Sequence, residues 1–84
     1  SVWLRVDLVE GIANVLDLDY IRNRRDIKYS VPINDLSPKI KEAISILDLC
    51  NYNEQFEGVG ERLRNNLGQE CYFIDKKFLG EDVV

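Results

Sequence analysis

The chain of 84 residues contains no histidine. Histidine is the usual general base near neutral pH and the commonest metal ligand. Its absence excludes Ser-His and Cys-His nucleophile pairs and every zinc pattern that uses imidazole. Methionine is also absent, and cysteine occurs only twice, at Cys50 and Cys71. Two thiols fall far below the density of a disulfide-stapled secreted scaffold. Both are expected to be free and buried, as unpaired cysteine usually is. No Asn-X-Ser/Thr acceptor occurs, and Ser1–Arg5 lacks the basic-then-apolar pattern of a signal peptide. No apolar run approaches the roughly 20 residues that cross a bilayer as a helix. These absences give the expectation of an intracellular, cytoplasmic protein with no catalytic set, metal set or cofactor.

What is present describes a folded domain. Hydrophobic residues make up 45% of the chain, too many for disorder. Residues 1–84 are therefore read as a single globular domain, small enough that its stability margin is thin. Fifteen acidic residues against eleven basic ones leave a net charge of −4. That sign opposes non-specific adhesion to nucleic acid and anionic membranes.

Val2, Leu4, Val6 and Leu8 alternate with Trp3, Arg5 and Asp7, which predicts a half-buried strand closed by Glu10-Gly11. Residues 11–22 fit two periods. Ile12, Val15, Leu16 and Tyr20 have helical spacing, while Leu16, Leu18 and Tyr20 alternate as a strand would. A helix is favoured, because Ala13 and Asn14 make a poor strand start. Ile27, Tyr29, Val31 and Ile33 alternate again, and Pro32 requires that strand to lie at a sheet edge or end there.

Ser37-Pro38 carries the sharpest local signal, an N-cap serine followed by proline at the first helical position. Ile40, Ala43, Ile44 and Leu47 then recur at helical spacing and predict the most buried helix. Phe56, Val59, Leu63 and Leu67, with Gly68 behind them, suggest another helix that Gly58 and Gly60 weaken. Residues 71–79 read as a terminal hairpin. The expected class is thus a small α+β domain of order β-α-β-α-α-β-β, an antiparallel or mixed sheet packed on two or three helices. If the opening segment were helical, the order α-β-α-α-β-β of a winged helix would result.

Three groups are candidates for function. Trp3 and Arg5 share the polar side of the first strand, and these residue types are enriched at binding hot spots. Against this, tryptophan is usually largely buried. Arg22, Arg24 and Arg25 form a basic cluster suited to carboxylate or phosphate forks, or simply a solvated turn balanced by Asp19 and Asp26. Asp17 and Asp19 lack the glycine turn and downstream glutamate of a calcium loop. The expected function is a non-enzymatic protein-interaction or regulatory module with an acidic surface. Its binding residues are Trp3, Arg5, Arg22, Arg24 and Arg25, and its partner is another protein or a second copy. Nucleic acid and membrane are not expected partners. The alternative is a winged-helix nucleic-acid binder in which Arg62, Arg64, Lys76 and Lys77 touch phosphates.

Overall fold

The alternation of residues 2–8 becomes strand β1, Trp3–Val9, in a computed structural model that describes residues 3–17 and 27–80. Glu10 and Gly11 do more than end it. Both have positive φ, 50° and 82°, which is the two-residue turn that matches the twist of a hairpin. The chain therefore folds straight back into β2, Ile12–Asp17, with Val9 opposite Ile12 and Val6 opposite Val15. The helix expected over 11–22 is thus replaced by a strand across its described part. Register dictated by the turn overrides the helical spacing of Ile12, Val15 and Leu16. Strand β3, Ile27–Pro32, pairs with β2 and forms one edge of the sheet, where proline is tolerated.

A 3₁₀ turn, Ile33–Asp35, leads to helix α1, Pro38–Leu47. Its start is as the sequence predicts. Ser37 Oγ accepts from Ile40 N at 3.3 Å, and Pro38 occupies the first turn. Ile40, Ala43 and Leu47 are fully buried against the sheet, whereas Ile44 is half-buried. α1 carries the chain from the β3 edge across one face of the sheet to the opposite edge.

There the structure departs most from expectation. In place of a helix over 56–67 stand β4, Glu54–Phe56, and β5, Gly60–Arg64, joined through Gly58 at φ 82°. Gly60 is indispensable here, since a Cβ on it would overlap the Phe73 carbonyl oxygen and lie 3.0 Å from Ile74 Cα. Strand β6, Glu70–Asp75, returns to the middle, pairing with β5 on one side and β1 on the other. The expected terminal hairpin is instead β6 followed by a four-residue helix α2, Lys76–Leu79, capped by Asp75 accepting from Lys77 N at 2.8 Å. Asp75 and the cap favour helix over a return strand.

The result is one antiparallel sheet of order β3-β2-β1-β6-β5-β4. Among the described residues sheet dominates, with one substantial helix and one short one, in place of a sheet packed on two or three helices. Both orders expected from the sequence are therefore wrong, the winged helix included. The main core lies on the helix side, where Leu4, Val6, Ala13, Val15, Tyr72 and Ile74 meet Leu36, Ile40, Ala43, Leu47 and Leu79. No helix among the described residues is long and apolar enough to cross a membrane.

Candidate interaction surface

Because strands alternate their side chains, the sheet's other face is fixed by the same register that builds the core. β1 contributes Trp3, Arg5 and Asp7 to it. β2 contributes Asn14 and Leu16, β5 contributes Leu63, and β6 contributes Cys71 and Phe73. Arg5 lies opposite both Leu16 and Phe73, and Asp7 lies opposite Asn14 and Cys71.

The centre of this face is held rigidly. Arg5 Nε donates to Asp7 Oδ1 at 2.9 Å, and the guanidinium carbon lies 5.7 Å from the centre of the Phe73 ring. Burial opposes the charge on Arg5, but its bond to Asp7 and the nearby charges win, and its pKa rises. Leu16 and Cys71 are only 6% and 3% exposed, although neither belongs to the helix-side core. Burial, and then Asp7 as bond partner and charge, push the Cys71 thiol up to about 12. It is a packing residue, not a nucleophile. Trp3 stays 36% exposed at the rim. On β3 and β2, Ser30 Oγ donates to Asn14 Oδ1 at 2.7 Å.

Two of the five expected binding residues, Trp3 and Arg5, thus come together on one face. Arg22, Arg24 and Arg25 lie outside the described residues. Phe73 and Leu63 join the face without having been expected there. Reading 71–74 as a strand was enough to set Phe73 beside Cys71, but only the β1–β6 pairing places both against Arg5.

A second cluster lies on the helix side, at the C-terminal end of α1. The Tyr52 ring is sandwiched between the guanidinium carbons of Arg62 and Arg64, 4.3 and 4.0 Å from its centre. Its hydroxyl bonds Glu70, and Arg62 Nη1 donates to the Cys50 carbonyl at 2.7 Å. Tyr72 donates to Asp48 at 2.6 Å and approaches Glu70 at 3.1 Å. Burial alone would raise the Glu70 pKa. The hydrogen bonds from Tyr52 and Tyr72 and the Arg62 charge outweigh it, so the carboxyl titrates below its usual range. Arg62 pairs with Asp48 and Glu70, and Arg64 bonds the Tyr52 hydroxyl, which marks the cluster as a clasp between helix and sheet.

The four residues expected to contact phosphates are scattered by this fold. Arg62 and Arg64 stand on a strand, not on a recognition helix. Lys76 forms an ion pair with Asp17 at the other end of β6, roughly 17–20 Å along the strand. Lys77 is exposed. Of the two thiols, both are free, but Cys50 is half-buried where full burial was expected. Among the described residues no three potential ligands from His, Cys, Asp and Glu group to hold a metal ion. The chain matches no protein-family model, no curated protein and no solved structure.

Proposed function

We propose that this chain is a non-enzymatic protein-interaction module that engages another protein through the face of its sheet opposite α1. The observation that carries the reading is the Trp3–Arg5–Phe73 row. An exposed tryptophan stands two residues from an arginine already fixed between a carboxylate and an aromatic ring. Tryptophan and arginine supply most hot-spot energy when they are held in place before binding. The face sits on the central strands, so its side chains are positioned by the most extensively hydrogen-bonded part of the molecule. The net charge of −4 favours a protein partner over a polyanion.

The test compares capture of proteins from the native host by the parent, by Trp3→Ala and by Leu67→Ala. Leu67 is 82% exposed in the β5–β6 turn, away from the face, and serves as the control. A defined partner should be retained by the parent and by Leu67→Ala. Its affinity for Trp3→Ala should fall roughly thirtyfold, as for the loss of a hot-spot residue. Capture that is indifferent to Trp3→Ala would sink the reading. So would tight duplex binding at physiological salt that disappears when Arg62, Arg64, Lys76 and Lys77 are neutralised.

A further inference from the structure

The two edges of the sheet are treated differently. The β3 edge carries Pro32 and Lys28, and its pairing with β2 is broken by a bulge at Val15/Leu16. Proline, lysine and bulges are among the devices that keep an edge from taking up another strand. The β4 edge lacks these three and is guarded only by its length of three residues and by Glu54. Glu54, Gln55 and Phe56 are all exposed, Phe56 at 44%, and no strand among the described residues lies beyond them; Glu54 N donates to the Asn51 carbonyl at 3.2 Å and its carboxylate accepts from Asn51 N at 2.6 Å. Acidic side chains flank this edge on both faces. Glu54 shares the helix side with Phe56. Glu61, opposite Gln55, lies on the other side, and Glu57 follows in the turn. None of these three glutamates has an ion-pair partner among the described residues.

We infer that the β4 edge accepts an extended basic segment of another protein as an added antiparallel or parallel strand. Backbone hydrogen bonds to the unpaired edge supply the affinity common to strand addition, and side chains at alternate positions supply the selection. Lysine or arginine on the incoming strand meets Glu54 on the helix side, and a second basic residue meets Glu57 at the turn. An apolar residue two positions from the first, on the same side of the strand, packs on Phe56. A second copy overlapping β4 antiparallel would set its uncharged Phe56 against Glu54, leaving the carboxylate without a counter-charge, so a basic segment is the better match. The edge adjoins the Trp3 face through Glu61, which lies opposite Phe73, but Trp3→Ala leaves β4 untouched and the Glu54 and Glu57 variants leave the Trp3 row untouched, so either assignment can fail alone.

The test is a titration of the isotope-labelled protein with an acetylated and amidated octapeptide of repeat Lys-Lys-Val-Val, which sets lysine and valine alternately along each face of the added strand. The same peptide with glutamate for lysine is the control. Binding should shift the amide signals of residues 53–57 and slow their hydrogen exchange, leaving 27–32 unmoved. The glutamate peptide should do neither. Glu54→Lys combined with Glu57→Lys should weaken binding roughly tenfold, the sum of two exposed ion pairs. Because charge reversal can perturb the β4–β5 turn, Glu54→Gln with Glu57→Gln provides a second variant, expected to flatten the salt dependence while native circular dichroism is kept. The inference is overturned if the lysine peptide leaves 53–57 unshifted, if both peptides bind alike, or if the neutral variant keeps the parent's salt dependence. It is equally overturned if the free protein dimerises through β4.

Discussion

The hydroxyl of Tyr72, in the middle of the sheet, donates to Asp48 at the C-terminal end of α1 across 2.6 Å. Burial first, then the carboxylates of Asp48 and Glu70, push this phenol far above its usual pKa, so it remains a proton donor at any ordinary pH. Tyr72→Phe keeps the packed ring and removes the bond. Asp48 retains access to water, with a side chain 47% exposed, so no charge is stranded. The expected loss is about 0.5–1.5 kcal/mol in urea unfolding, with an unchanged slope.

Stability should depend on pH through Glu70. Its folded pKa lies below the reference value of 4.5, so over that window the unfolded chain binds more protons than the native one. The contribution is therefore full above the unfolded value and is lost as pH falls through the folded one. Glu70→Gln should be less stable than the parent at pH 7, and the two should converge as pH is lowered below 4.5. Parallel stability curves for the two proteins from pH 7 down to 3 would contradict this.

Gly60→Ala tests the packing of β5 against β6. The new methyl would run into backbone, not into a flexible side chain, and the Phe73 carbonyl cannot move without breaking the ladder. A loss of about 2–4 kcal/mol is expected, the range for forced overpacking combined with an unfavourable backbone angle. A variant that melts within a few degrees of the parent would show that the strands pair differently.

The β1–β2 turn can be improved. Glu10 holds φ 50°, a conformation that asparagine adopts more readily. Glu10→Asn should raise stability by roughly 0.5 kcal/mol, and Gly11→Ala, at φ 82°, should lower it by about 1 kcal/mol. The pair is informative because the two signs are opposite at adjacent positions.

Thiol labelling should divide the cysteines. Cys50 is half-buried and is expected to react in the native protein. Cys71, buried and pushed up to about 12, should react only after unfolding. Peptide mapping after a short exposure to iodoacetamide at pH 8 reads both at once. Equal native labelling of the two would mean that the Arg5–Asp7 cover opens freely.

What the sequence made legible was local. The alternation of β1, the edge position of Pro32 and the Ser37-Pro38 start of α1 each depend on a few adjacent residues, and each is present. β2 was hidden because Ile12, Val15 and Leu16 satisfy both periods, and Glu-Gly is a less familiar hairpin turn than Asn-Gly. The spacing of Phe56, Val59, Leu63 and Leu67 misled for a different reason. Phe56 and Leu67 are exposed, so half of that helical stripe is not core at all. Gly58 and Gly60 held the truer signal. Trp3 and Arg5 were found as candidates because they are two residues apart on one strand. Phe73 and the Tyr52 clasp were not, since both depend on pairings between distant segments that no local period reveals.

The sheet consists of two three-stranded meanders, β1-β2-β3 and β4-β5-β6, sewn together along a single seam between β1 and β6. Each meander is local in sequence and can form early. The seam cannot, because Leu4 must find Ile74 at the other end of the described chain. Closing so large a loop carries an entropic cost that local contacts do not repay until the whole row is in register. Trp3 and Arg5 come from one meander and Phe73 from the other, so the proposed binding face does not exist in either alone. A ribosome-bound chain lacking β6 would present Trp3 and Arg5 without their aromatic neighbour, which couples completion of the fold to competence for binding.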